Sequence, residues 1–153
     1  FIQKIYSSPS FTIPNDKVFD LIPMLYVAKY DPITSIREIM QKVWNQLIGI
    51  QEKEKLLQYA SIILTYIDKN LLNPLWRERE SAGYALENLI LLNLPWQTSQ
   101  PIKQLLPLLL EKGFKLLDDI RESTRKLAIS LMKKLLQIIL TICNTKENSS
   151  EII

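Results

Sequence analysis

The residues that could do chemistry are few, and their absences are informative. The chain of 153 residues contains no histidine. Ser-His and Cys-His nucleophilic arrangements are therefore excluded, as is every histidine-based metal site. The one cysteine, Cys143, allows neither an internal disulfide nor a zinc cluster. It reads as a small buried hydrophobe near a helix end and fits a reducing compartment. The three glycines (Gly49, Gly83, Gly113) are isolated from one another, so no glycine-rich loop can cradle phosphate. Two carboxylate pairs remain. Glu78 and Glu80 are two apart on a predicted helix and point in different directions. Asp118 and Asp119 read as a helix start. This inventory gives no catalytic residue, no metal ligand and no cofactor site, and points away from an enzyme.

What does recur is an arginine at a fixed place. Asp31-Pro32-Ile33-Thr34-Ser35-Ile36-Arg37 aligns with Asn73-Pro74-Leu75-Trp76-Arg77-Glu78-Arg79 and with Asp119-Ile120-Arg121-Glu122-Ser123-Thr124-Arg125. Each segment opens on Asp or Asn and ends on arginine six residues later. The arginines are 42 and then 46 residues apart, within the range of roughly 40–47 residues of paired-helix HEAT and armadillo repeats. Arg37, Arg79 and Arg125 are expected to form a structural ladder, each guanidinium bonding the turn of an adjacent repeat. The alternative is a stripe for an acidic partner.

Helical periodicity divides the chain in the same way. Ile36, Ile39, Met40, Val43, Trp44 and Leu47 follow one helix face, as do Ala82, Ala85, Leu86 and Leu89. Thr124, Leu127, Ala128, Leu131, Met132 and Leu135 form the third such face. A partner helix precedes each elbow, built on Leu21, Ile22, Leu25 and Tyr26, on Leu56, Tyr59, Ala60, Ile63 and Ile67, and on Leu105, Leu106, Leu109, Phe114 and Leu117. Asp31-Pro32 and Asn73-Pro74 are expected to stop the first helix, with each proline opening the second. Asp119 is expected to cap its helix with its carboxylate.

Six helices follow, over 15–30, 33–48, 53–72, 76–93, 101–117 and 120–143. The fold class is all-α, an α-solenoid of the HEAT/armadillo type with about three helix pairs. Residues 1–14 are a loop or a remnant of a preceding repeat, 15–50 the first repeat and 51–94 the second. Residues 95–100 are a linker, 101–143 the third repeat, and 144–153 a fraying tail. Each pair must borrow its dry interior from a neighbour, and the chain is expected to be a piece of something longer. Apolar residues at 47% against 23% charged describe a folded chain. A net charge of +3, with acids and bases interspersed, is too mild for nucleic acid. No run of 18 uninterrupted apolar residues suggests membrane insertion.

The tryptophans read mainly as structural. Trp44 lies on an apolar stripe and reads as core, with ligand stacking as the alternative. Trp76 packs over a turn or stacks on an arginine. Trp96 plugs a gap between repeats or contacts a partner. Arg121, Lys126, Lys133 and Lys134 share the last helix and form a candidate surface for an acidic protein, beside the plain reading of a solvated face.

Trp76-Arg77-Glu78-Arg79-Glu80-Ser81 followed by Ala85-Leu86-Glu87-Asn88-Leu89 resembles a segment of the proteasome adaptor and scaffold family of very long HEAT-repeat proteins. Tyr30-Asp31-Pro32 through Arg37, Met40 and Val43-Trp44-Asn45-Gln46-Leu47 resembles the repeat before it. Asp118 through Ser123 and Arg125-Lys126-Leu127-Ala128 resembles the repeat after it. The resemblance covers residues 20–143. It implies a non-enzymatic curved solenoid without cofactor or small-molecule substrate, cytoplasmic and nuclear. It implies proteasome subunits as partners and a bridge between core and regulatory particles. A generic HEAT scaffold of another class, a nuclear-transport receptor or chromosome-organising subunit, shares the repeat period and is the other reading.

Overall fold

A computed structural model describes residues 17–92 and 100–150. Among the described residues six α-helices follow one another: α1 Val18–Ala28, α2 Thr34–Leu47, α3 Glu52–Asn70, α4 Trp76–Leu91, α5 Gln100–Leu117 and α6 Glu122–Ser150. A 3-10 turn, Gly49–Gln51, joins α2 to α3, with Gly49 at φ 48, a left-handed conformation that glycine adopts without steric cost. There is no strand among the described residues. The bounds lie within three residues of the periodicity at every end but one. Residues 144–150, expected to fray, continue α6. The leading loop, the linker with Trp96, and the last three residues lie outside the described residues.

The three elbows are built alike. Asp31, Asn73 and Asp119 each donate their amide to a carbonyl three residues back, on Ala28, Asn70 and Leu116. Their side-chain Oδ1 then accepts the amide two residues on, from Ile33 at 2.8 Å, Leu75 at 2.9 Å and Arg121 at 2.9 Å. This Asx geometry turns the chain before the second helix starts. The expectations of a direct helix cap by Asp119 and of proline at the first helical position are corrected. Pro32 and Pro74 sit two residues before Thr34 and Trp76, inside the turn. The residues flanking α2 and α4, Ile33 and Leu75, carry no side-chain cap.

Helices pair in chain order: α1 with α2, α3 with α4 and α5 with α6. The pairs then meet through like helices, α1 with α3, α3 with α5 and α4 with α6. One continuous core results. Ile22, Tyr26, Trp44, Leu56, Ile63, Ile67, Leu86, Leu89, Leu109, Leu131 and Leu135 belong to it. Two expected core residues face outward instead, Ile39 at 47% and Phe114 at 60% exposed. Leu116 takes the buried place near Phe114. Cys143, expected to be buried, is exposed.

Candidate functional site

The arginine at the end of each signature closes its own elbow. Arg37 Nη1 donates to the carbonyls of Asp31 at 2.8 Å and Pro32 at 3.3 Å. Arg79 Nη1 donates to those of Asn73 at 2.8 Å and Pro74 at 2.9 Å. Arg125 Nη1 donates to those of Asp119 at 2.7 Å and Ile120 at 3.1 Å. The same arginines' backbone amides donate to Ile33, Leu75 and Arg121. One residue type thus opens the second helix with its main chain and locks the turn with its side chain. The expected bonding to an adjacent repeat is corrected for Arg37 and Arg125, whose guanidinium groups fold back over their own elbow's carbonyls, and holds for Arg79, which also reaches the next elbow at Asp119.

The links between pairs come from other atoms of the same signature. Arg77 Nη2 meets Asp31 Oδ2 at 2.6 Å, tying the second elbow to the first. Arg79 Nε lies 2.8 Å from Asp119 Oδ2, tying it to the third, although that N–H is not aligned as a hydrogen bond. Asp31 and Asp119 therefore serve two partners, with Oδ1 for their own turn and Oδ2 for a neighbour's arginine, whereas Asn73 uses Nδ2 to donate to Asn70 Oδ1 at 3.0 Å.

Glu80 is a second connection. Its carboxylate is buried at 2% exposure and accepts from Ser123 Oγ at 2.5 Å, Thr124 Oγ1 at 2.9 Å and Arg121 Nε at 3.4 Å. A buried carboxylate is tolerated where its lone pairs are met in this way. The Arg121 guanidinium also stacks on Trp76, 3.8 Å from the ring centre. Ser81, beside Glu80, is buried. Two of the four candidate partner-surface residues are thereby engaged inside the molecule: Arg121 as above, and Lys134, whose Nζ donates to Glu87. Lys126 pairs with Glu122 one turn away on an exposed surface, and Lys133 is exposed.

The sequence reading missed the cluster that seats the first pair. Lys29 is buried at 8% exposure among three rings, its Nζ 4.8 Å from the centres of Tyr26 and Trp44 and 5.2 Å from that of Tyr30. Glu52 Oε1 accepts from Lys29 Nζ at 2.5 Å and from Trp44 Nε1 at 2.8 Å. Burial lowers the Lys29 pKa, opposed by Glu52. Trp44, on α2, is thus core and a donor to the residue that starts α3. Nothing in the spacing of Lys29 and Glu52 announces the pair, because they meet only after two helices have been laid down.

A groove of about 280 Å³ opens between α2 and α4, lined by Tyr30, Arg37, Tyr84, Glu87, Asn88 and Leu91. Tyr30 OH donates to Asn88 Oδ1 at 2.7 Å across its floor. Among the described residues, no group of three or more His, Cys, Asp or Glu is placed to hold a metal ion. One helical span, Glu122–Asn144, is long and apolar enough to cross a membrane by length and composition. A search for uninterrupted apolar runs does not find it, because charges punctuate it. In the structure Leu127, Ala128, Leu131, Met132, Leu135 and Ile138 of this span are buried within the protein.

Over 130 residues, 85% of its length, the chain is 34% identical to the "Proteasome adapter and scaffold protein ECM29" of Homo sapiens. It is 30% identical over 122 residues, 78% of its length, to the "Proteasome component ECM29" of Saccharomyces cerevisiae. The chain belongs to this family. A third relative, "Proteasome component ecm29" of Schizosaccharomyces pombe, is 28% identical over 92% of the chain. The matched regions span 7%, 6% and 8% of the length of these relatives. No family model matches the chain, and no solved structure matches it. In this member of the ECM29 family, the most ordered chemistry lies in the elbows and in the seams between helix pairs.

Proposed function

We propose that this chain is a segment of a non-enzymatic protein-binding scaffold that associates with the 26S proteasome and bridges its core and regulatory particles. The observation that carries the reading is the 34% identity to the human adapter over 85% of the chain. The architecture supports it. Three helix pairs touching through like helices, with near-identical elbows, support the reading of a HEAT-type α-solenoid, a class whose repeats contact only their neighbours and build extended binding surfaces. Its partners are proteasome subunits, with no nucleic acid, no small-molecule substrate and no membrane insertion, and its compartments are cytoplasm and nucleus.

Affinity capture of the tagged full-length protein that carries this segment tests the reading. Both core and regulatory subunits are expected in the eluate at low salt. Recovery of neither would refute the proposal.

A further inference from the structure

The α4–α6 seam shows how one second helix receives the next. On α4, Glu80, Gly83 and Glu87 share one face, at steps of three and four residues. They meet α6 in order. Glu80 accepts from Ser123 and Thr124, Gly83 lies against Leu127, and Glu87 accepts from Ser130 and Lys134. The recurrent arginine sets the register between the two helices, Arg79 matching Arg125. The positions on α6 equivalent to Glu80, Gly83 and Glu87 are therefore Lys126, Ile129 and Lys133. All three are exposed, and Leu136 at 49% and Leu140 at 61% extend the row.

α6 thus turns outward the face with which α4 holds a helix, with two changes. Both charges are inverted. The glycine, where an added Cβ would stand 2.6 Å from Leu127 Cδ2, is replaced by isoleucine, so the space that admits a leucine on α4 is filled on α6.

We infer that the outer face of α6 docks a helix carrying carboxylates at two positions seven residues apart, with a small residue four after the first. The acids pair with Lys126 and Lys133, and the small residue admits Ile129. A helix like α6 itself is rejected, since its Leu127 would meet Ile129 and its Lys134 would meet Lys133. A second copy of this chain is rejected on the same register. Its α2 would bring Ser35, Ile39 and Lys42 against Lys126, Ile129 and Lys133, stacking isoleucine on isoleucine and lysine on lysine. The inference rests on the stacked-pair architecture proposed above, and not on the proteasome association.

The test uses the 153-residue chain and two labelled peptides. One spans Glu122–Ser150; the other is the same peptide with Ser123→Glu, Leu127→Ala, Ser130→Glu and Lys134→Ala. Fluorescence anisotropy is expected to show the acidic peptide binding at least about tenfold more tightly than the parent. That advantage falls as salt is raised. It is lost in the Lys126→Glu/Lys133→Glu chain, whose changes lie on exposed positions and whose helix content is checked by circular dichroism. A peptide with Ser123→Lys, Leu127→Ala and Ser130→Lys then binds that variant in place of the acidic one. No binding of the acidic peptide, equal binding by the two chains, or head-to-tail dimers of the unaltered chain by sedimentation would each overturn the inference. Any of these results together with successful proteasome capture would leave the scaffold function standing.

Discussion

A guanidinium that reaches two carbonyls of its own turn satisfies acceptors that would otherwise be left bare in the turn between two helices. Arginine serves here beyond what one ammonium offers, because Nη1 takes both carbonyls while a second nitrogen reaches elsewhere, Nη2 of Arg37 to Thr34 Oγ1 and Nε of Arg79 to Asp119. The position could be read from the sequence because the motif is local: six residues separate Asx from Arg in all three copies. Where the guanidinium points was not legible, since the motif fixes the spacing of Asx and Arg but not which elbow's oxygens the side chain meets once the pairs have stacked. Glu80 was singled out as part of the signature, but its role as acceptor for three donors depends on α6 arriving over it. Glu80→Ala leaves Ser123, Thr124 and Arg121 without their acceptor, and is expected to lower unfolding free energy by ~2–3 kcal/mol. Glu80→Gln keeps an acceptor oxygen and is expected to cost about half as much. Urea unfolding of both variants checks this, and an alanine cost under about 0.5 kcal/mol would contradict the assigned role.

Tyr30 provides a pH signature at the same scale. Burial first, with the nearby Glu52, pushes its hydroxyl up to about 12, from an ordinary value of about 10. The folded state keeps this proton after the unfolded chain has lost it. Tyr30 therefore contributes stability that is fully present below the unfolded value and is lost as pH rises through about 12. Tyr30→Phe also deletes the bond to Asn88 and lowers stability by ~1 kcal/mol at neutral pH. Urea midpoints taken between about pH 9 and pH 12 should fall more steeply for the unaltered chain than for the variant. Parallel curves would show that Tyr30 titrates alike in both states.

At the scale of elements, helix positions were legible because apolar residues recur every three to four places and Asx-Pro interrupts them. Faces were less so. Ile39 and Phe114 fit the apolar stripes of α2 and α5, yet they lie at stripe edges left exposed among the described residues. Gly83 shows how the seam is set. Glycine inside a helix costs about 1 kcal/mol relative to alanine, and here it lets Leu127 approach the α4 backbone. Gly83→Ala is expected to be net destabilising by ~1 kcal/mol, the collision outweighing the gain in helix propensity. In a Leu127→Ala background the collision is gone, and the same change is expected to stabilise by ~1 kcal/mol. A double-mutant cycle reads this sign reversal as a coupling of ~2 kcal/mol. Additive effects would mean that α4 and α6 do not meet at this point.

For the whole molecule, stacking follows from parts that cannot be dry alone. Lys29, Tyr26, Trp44 and Glu52 join the first pair to the second. Arg77 with Asp31, and Arg79 with Asp119, fasten consecutive elbows, while Lys112 and Asp68 tie α3 to α5 at 2.8 Å. Each of the ion pairs among them joins residues more than 20 apart in sequence. That is why the period was visible and the fasteners were not. The family likewise showed in three local motifs in order, without indicating which surface meets a partner.

Electron cryomicroscopy of proteasomes purified with the full-length protein tests the central claim most directly. Helix pairs stacked in register are expected at this segment, in a body of density touching both core and regulatory particles. Intact 26S particles that lack the protein, or density for this segment that is not a stack of paired helices, would contradict it.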